Sequence, residues 1–197
     1  MKKIICLMLC VLLLALPLAA CKKDEGIPYT RSETETNFVL IDVKDFGEIV
    51  VELYPEAAPI TVENFKGLVA DSFYDGLIFH RIIAGFMIQG GGMNETYQEK
   101  DCPSIKGEFA SNGVANNLKH TRGVISMART DVPDSASSQF FIMHEAAPHL
   151  DGDYAAFGNT VYGIEVVDKI AAVQTNYYDM PLENVVINEA YFVTPNN

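Results

Sequence analysis

The chain has 197 residues, 49% of them hydrophobic, and 26 acidic against 14 basic side chains give it a formal charge of −12. That balance argues against a nucleic-acid binder, which needs a basic face for phosphate. It suits a body that stays near an anionic surface without adhering to it.

Met1 to Ala20, MKKIICLMLCVLLLALPLAA, runs from two lysines through an unbroken apolar stretch to small residues, the order of a secretory signal. Cys21 follows, and LAAC (Leu18 to Cys21) resembles the bacterial lipoprotein signal. That resemblance implies a diacylglyceryl thioether on Cys21, removal of residues 1–20, and attachment to the extracytoplasmic face of the cell membrane. Two acyl chains suffice for stable anchoring. The alternative is a permanent membrane helix, since the run almost reaches the ~17–25 residues needed to span. With Cys6 and Cys10 lost and Cys21 lipidated, Cys102 is the one remaining thiol, so no internal disulfide is expected. Losing Lys2 and Lys3 takes the formal charge to about −14. Residues 22–36, KKDEGIPYTRSETET, are polar with few large apolar side chains and are expected to form a flexible tether. Residues 37–197 then make one domain of ordinary size.

In chain order, Asn37 to Tyr54 alternates apolar and polar residues on both sides of Gly47, with Val39, Ile41 and Val43 on one face and Ile49, Val51 and Leu53 after the turn. This predicts a half-buried hairpin. Pro59 opens a helix in which Val62, Phe65, Leu68 and Val69 recur at three-to-four spacing, with Gly76 as its stop. Strand-like runs return at LIFHRII, FMIQGG, GVISMAR, SQFFIMH and YAAFGNTVYG. A helix over GIEVVDKIAAV carries Val166, Val167, Ile170 and Val173 on one face, and VVINEAYFVT is the last strand. Many short strands, two helices and no βαβ alternation predict a closed antiparallel barrel capped by helices, with a sandwich as the alternative.

FHRIIAGFMIQGG (Phe79 to Gly91) places an arginine inside an apolar run. Burying a guanidinium among apolar groups costs several kcal/mol unless it is paired. Strand alternation puts Phe79, Arg81 and Ile83 on one face. A three-residue connection, Ala84 to Phe86, sets Ile83 opposite Met87 and Arg81 opposite Gln89, whereas a two-residue turn sets Gln89 against His80. Gln89 offers the guanidinium a neutral partner. The alternative is a structural arginine that faces solvent and pairs with a distant carboxylate.

FHRIIAGFMIQGG, GVISMA (Gly123 to Ala128), SQFFI (Ser138 to Ile142) and HLDGDYAAFG (His149 to Gly158) together resemble the cyclophilin family of peptidyl-prolyl isomerases, over nearly the whole body. The resemblance implies a closed eight-stranded antiparallel barrel with a helix at each end and a substrate groove on the outer wall. It implies that Arg81 is the catalytic arginine and Gln89 the glutamine beside it. Phe86, Met87, Phe141 and Leu150 match the walls of the proline pocket, and Ala128 with the main chain of Arg129 matches the edge that hydrogen-bonds the peptide. His149 stands where well-known members have a tryptophan associated with cyclosporin binding, and Tyr154 where they have a histidine; both are expected at the substrate. A divergent loop, GGGMNETYQEKDCPSIKGEF, borders the groove.

The remaining polar groups read as structural. His80, His120, His144 and His149 lack metal-ligand spacing, and one thiol does not suit zinc, so neither metal nor cofactor is expected. Gly90 to Gly92 fit a turn better than a phosphate cradle. Asp131, Asp134, Asp151 and Asp153 read as solvated turn acids. A surface hydrolase lacks support, because neither GxSxG nor a nucleophile–histidine pair is evident in the sequence. The expected function is isomerisation of Xaa–Pro bonds in exported proteins by a monomer anchored through Cys21. A catalytically inert module of the same fold that holds proline-containing segments is the alternative.

Overall fold

A computed structural model describes residues 26–196; the leader and Cys21 lie outside them. The hairpin read from alternation is β2 (Phe38–Val43) and β3 (Gly47–Leu53), paired from Phe38↔Glu52 to Val43↔Gly47. Val39, Ile41, Val43, Ile49, Val51 and Leu53 all enter the main core. The outward face is not polar throughout. Leu40 and Val50 are fully buried there, packed with Val193 beneath Ile27, Tyr29, Phe38, Tyr162 and Tyr191.

That outer patch corrects the expected tether. Tyr29–Arg31 forms β1, paired antiparallel with Val193–Pro195 of β9 (Ile187–Pro195). The segment has too little apolar surface to fold alone, but it needs little. Main-chain hydrogen bonds to a strand edge and two apolar side chains over Leu40 and Val50 are enough to seat it. Arg31 adds an ion pair with Glu189 and lies over the Tyr191 ring at 3.6 Å.

The other strands are β4 (Leu77–Ile83), β5 (Met87–Asn94), β6 (Val124–Met127), β7 (Phe140–Met143) and β8 (Ala156–Tyr162). Among the described residues they form one antiparallel sheet of nine strands in the order β1-β9-β2-β3-β8-β6-β7-β5-β4. The sheet curls until β4 reaches the lead-in to β9. There Gly76 N donates to Ile187 O at 2.8 Å, Phe79 N donates to Val185 O at 2.9 Å, and Ile78 bridges Val186. These contacts do not make a continuous ladder, so the expected closed eight-stranded barrel is a curled nine-stranded sheet with a stitched seam. The seam is short because the body of β9 pairs with β2.

Helix α1 (Pro59–Ala70) ends well before Gly76, and its first residue is proline as expected. Its N-cap, Ala58, has no side-chain oxygen. The cap comes instead from buried Glu108, whose carboxylate accepts from Ile60 N (3.1 Å), Thr61 N (2.8 Å) and Thr61 Oγ1 (2.7 Å). A negative charge at a helix N-terminus is favourable, and charge-assisted hydrogen bonds are the strong ones. Phe65 of α1 enters the core against Tyr74, Phe140 and Phe157, with ring centroids 5.2–5.6 Å apart. Helix α2 (Ile164–Ala171) contributes Val166, Val167 and Ile170 to the same core.

Gly90 to Gly92 lie inside β5 and not in a turn. A Cβ on Gly91, whose φ is +81°, would stand 2.8 Å from the Phe140 ring and 2.9 Å from Tyr74. Gly90 and Gly91 are bare because aromatic rings pass directly over the strand, and Gly92 because the Gln139 side chain fills the space above it.

Candidate active site

The connection between β4 and β5 has the three-residue form, with Ile83 opposite Met87 and Arg81 opposite Gln89. The faces differ from simple alternation. Phe79 is opposite Gly90 while Arg81 is opposite Gln89, so two residues of β4 span one step of β5 and the register shifts. This β-bulge at His80 breaks the period of two. Phe79 and Ile82 therefore both point into the core, and Ile83 packs outside with Met87. Arg81 is not sunk among buried phenylalanines. Its side chain is 42% exposed and lines the outer groove.

The groove follows one row across the sheet. Arg81 on β4 neighbours Gln89 on β5, Gln89 neighbours Phe141 on β7, and Phe141 neighbours Ser126 on β6. The cavity over this row, about 280 Å³, is bounded by Arg81 and Gln89 at one side and by Phe86, Met87, Phe141 and Leu150 as apolar wall. Ala128, Arg129 and Tyr154 complete it. A smaller recess of about 130 Å³ shares Gln89, Ala128 and Arg129 and continues past Thr130 and Ser135. His149 does not line the cavity; it is exposed and stacks on Phe86 at 5.7 Å. A cleft of about 780 Å³ between the Lys44–Asp45–Phe46 turn and residues 182–186 shares no lining residue with the groove.

The expected pairing of the arginine with Gln89 is not what holds it. Gln89 Nε2 donates to Gln139 Oε1 at 3.0 Å, and the ion pair of Arg81 is with Asp179, whose Oδ2 is 3.5 Å from Nε. Gln139 sits where the β5–β7 pairing brings it, and it takes the amide first.

Two histidines brace the walls. At the hairpin tip, Gly85 N donates to His144 Nδ1 at 2.9 Å and His144 N donates to Phe86 O at 2.9 Å. With Nδ1 accepting, the ring proton is on Nε2, which lies 3.3 Å from Asp168. Behind Phe141, the buried His120 ring stacks at 6.0 Å and also meets Tyr154 edge-on at 6.4 Å. His120 Nδ1 faces Asp151 Oδ1 at 3.2 Å, and its Nε2 faces Ser126 Oγ at 3.1 Å. Burial, opposed by Asp151, lowers the His120 pKa. Burial raises the Asp151 pKa, but hydrogen bonds from the His120 backbone and ring outweigh it and hold the pKa below the usual carboxylate range. Asp151 is thus a structural partner and not merely a solvated turn acid.

Ser126, His120 and Asp151 form a serine–histidine–aspartate chain that sequence spacing does not reveal. Ser126 is 0% and His120 1% exposed, so no substrate reaches the hydroxyl, and the chain is a brace. Arg129 is likewise fixed: Nε donates to Asp153 O at 3.0 Å, and the guanidinium lies 4.6 Å over Tyr154. Among the described residues no group of three or more His, Cys, Asp or Glu is placed to hold a metal ion.

The arrangement is an apolar socket with an always-charged fork of donors at its edge. The profile of the family described as cyclophilin type peptidyl-prolyl cis-trans isomerase/CLD matches residues 38–192. A peptidyl-prolyl cis-trans isomerase of Acinetobacter baylyi is 48% identical over 148 residues, covering 72% of this chain and 76% of that one. Peptidyl-prolyl cis-trans isomerase B of Escherichia coli is 40% identical over 153 residues, covering 72% and 91%. The crystal structure of a Cryptosporidium parvum cyclophilin-type peptidyl-prolyl cis-trans isomerase in the presence of the dipeptide Ala-Pro superposes with a TM-score of 0.71 at 29% identity, covering 80% of this chain and 99% of that one. The chain belongs to the cyclophilin-type peptidyl-prolyl cis-trans isomerases, a family of enzymes.

Proposed function

We propose that the protein rotates Xaa–Pro bonds in exported polypeptides, working as a monomer held to the membrane by lipid on Cys21. The observation that carries the isomerase reading is Arg81 at the rim of an apolar groove walled by Phe86, Met87, Phe141 and Leu150. The solved Cryptosporidium relative was crystallised with an Ala-Pro dipeptide, which supports proline as the occupant of that groove.

Rotation must break the partial double bond of the amide, a barrier of ~18–20 kcal/mol. At the twisted geometry the nitrogen becomes pyramidal and regains its lone pair. The socket grips the proline ring while the preceding residue swings. The guanidinium, charged at every working pH, holds the proline carbonyl and stabilises the freed lone pair. Only the π character of the C–N bond is lost and no σ bond is made or broken, so the chemistry needs no nucleophile. Lysine would replace a planar fork with a point charge and serve less well.

The test is a proline-peptide isomerisation assay on the purified protein, wild type beside Arg81→Ala. An isomerase loses rate with the arginine; equal rates in the two would make the protein a holder of proline segments. The anchor has its own test. Metabolic fatty-acid labelling is expected to mark the wild type and not Cys21→Ser, and a labelled mutant overturns the lipid reading.

A further inference from the structure

We propose that Asp179 is the positioning residue of Arg81: it occupies the Nε side of the guanidinium and leaves the two Nη donors for the substrate. The inference rests on the isomerase reading of the groove. The loop over residues 175–181 is constructed around one side chain. Thr175 bridges Pro181, and Asn176 N donates to Met180 O at 2.8 Å. Asn176 Oδ1 accepts from Tyr178 N at 2.8 Å and from Met180 N at 3.2 Å. This folds Asp179 into the left-handed region at φ +61°, which aspartate tolerates better than most residues. From there Asp179 O accepts from Ile82 N at 2.8 Å, so the loop is hydrogen-bonded to β4 one residue beyond the arginine. The carboxylate arrives 3.5 Å from Arg81 Nε as a result of main-chain geometry.

An ion pair with both side chains 42% exposed contributes little to folding. Its effect falls instead on where the fork points. A half-exposed arginine samples many rotamers, and Gln89, its neighbour on β5, is committed to Gln139. Asp179 is the one carboxylate within ion-pair distance of Arg81 among the described residues. Taking Nε restricts the last torsions of the side chain without using the two donors that a proline carbonyl and a pyramidal nitrogen require.

Asp179→Asn and Asp179→Gly keep a residue at ease at positive φ, so the turn and its bond to Ile82 survive. In the full-length protein both variants are expected to lower kcat by about three- to ten-fold, with KM for a short proline peptide within about two-fold and an unchanged melting temperature. In an Arg81→Lys background, where no fork remains to orient, the same substitutions are expected to change kcat by less than about two-fold. Equal losses in both backgrounds would overturn the proposal, as would wild-type kcat in Asp179→Gly. A wild type with no isomerase activity would instead overturn the reading of the groove, and the proposal with it.

Discussion

Phe65, Phe140 and Phe157 lie wholly enclosed inside the curled sheet, while Phe86 and Tyr154 on its outer wall keep part of their surface open above the buried Phe141. The residue types are nearly the same. Inside, α1 and α2 close over the rings and the chain excludes water by itself. Outside, strands β4 to β7 supply a floor and the hairpin tip a wall, but among the described residues no element covers the top. On the proposed reading a proline segment completes that packing, with the guanidinium at the rim to select it. On that reading the interior carries stability and the groove carries rate, and each substitution below separates the two.

The largest effect belongs to the interior. Phe65→Ala removes a ring packed against three others and is expected to cost about 3–5 kcal/mol of unfolding free energy, measured by denaturant titration. A loss below about 1 kcal/mol would mean that the core closes around the gap and is less rigid than this division requires. Comparable in magnitude but opposite in kind, Arg81→Ala is expected to lower kcat by about 10²–10³ with an unchanged unfolding midpoint. Phe141→Ala sits between the two, since it removes wall that touches proline before and during rotation; it should raise KM as well as lower kcat.

Glu108→Gln probes the joint between the regions. The amide keeps one oxygen where three donors converge, so a loss of about 1–3 kcal/mol in stability is expected, with kcat little changed. The smallest effect is that of acid. His80 and His120 have pKa values lowered chiefly by burial, with the Arg81 charge adding to the shift at His80. Their unfolded forms take up protons near pH 6.5, where the folded forms still resist. The stability they contribute is therefore complete above about pH 6.5 and declines as pH falls toward the folded values. Unfolding midpoints at pH 7.5 and 5.5 are expected to show the decline, and His120→Gln to lessen it.

Legibility in the sequence followed distance along the chain. The β2–β3 hairpin is visible because Val39, Ile41 and Val43 alternate within a few residues, and the Arg81–Gln89 register because a three-residue turn sets it. The bulge at His80 is not, since Phe79 and Ile82 are apolar whichever face they take. Asp179 lies far downstream with no motif around it, so the partner of Arg81 could be read only as some distant carboxylate. The His120 brace needs three segments to converge, and neither its spacing nor its composition marks it. The added strand β1 was hidden for a different reason. Its stability comes from backbone pairing, which composition does not register, and its sole advertisement is Leu40 and Val50 at positions where a solvated face would be polar.

That added strand also bears on reach. A chain covers at most ~3.3–3.6 Å per residue. Were the body free up to Thr36, a lipid on Cys21 would hold it on a leash of sixteen residues, roughly 55 Å long at full extension. With Ile27 packed over Leu40 and Val50 and Pro28 O accepting from Asn196 N, six residues remain, Cys21 to Gly26, and the reach falls to roughly 21 Å. On the proposed lipid reading, an enzyme so moored would sample only a thin layer above the bilayer, and its clients would be the segments that emerge there.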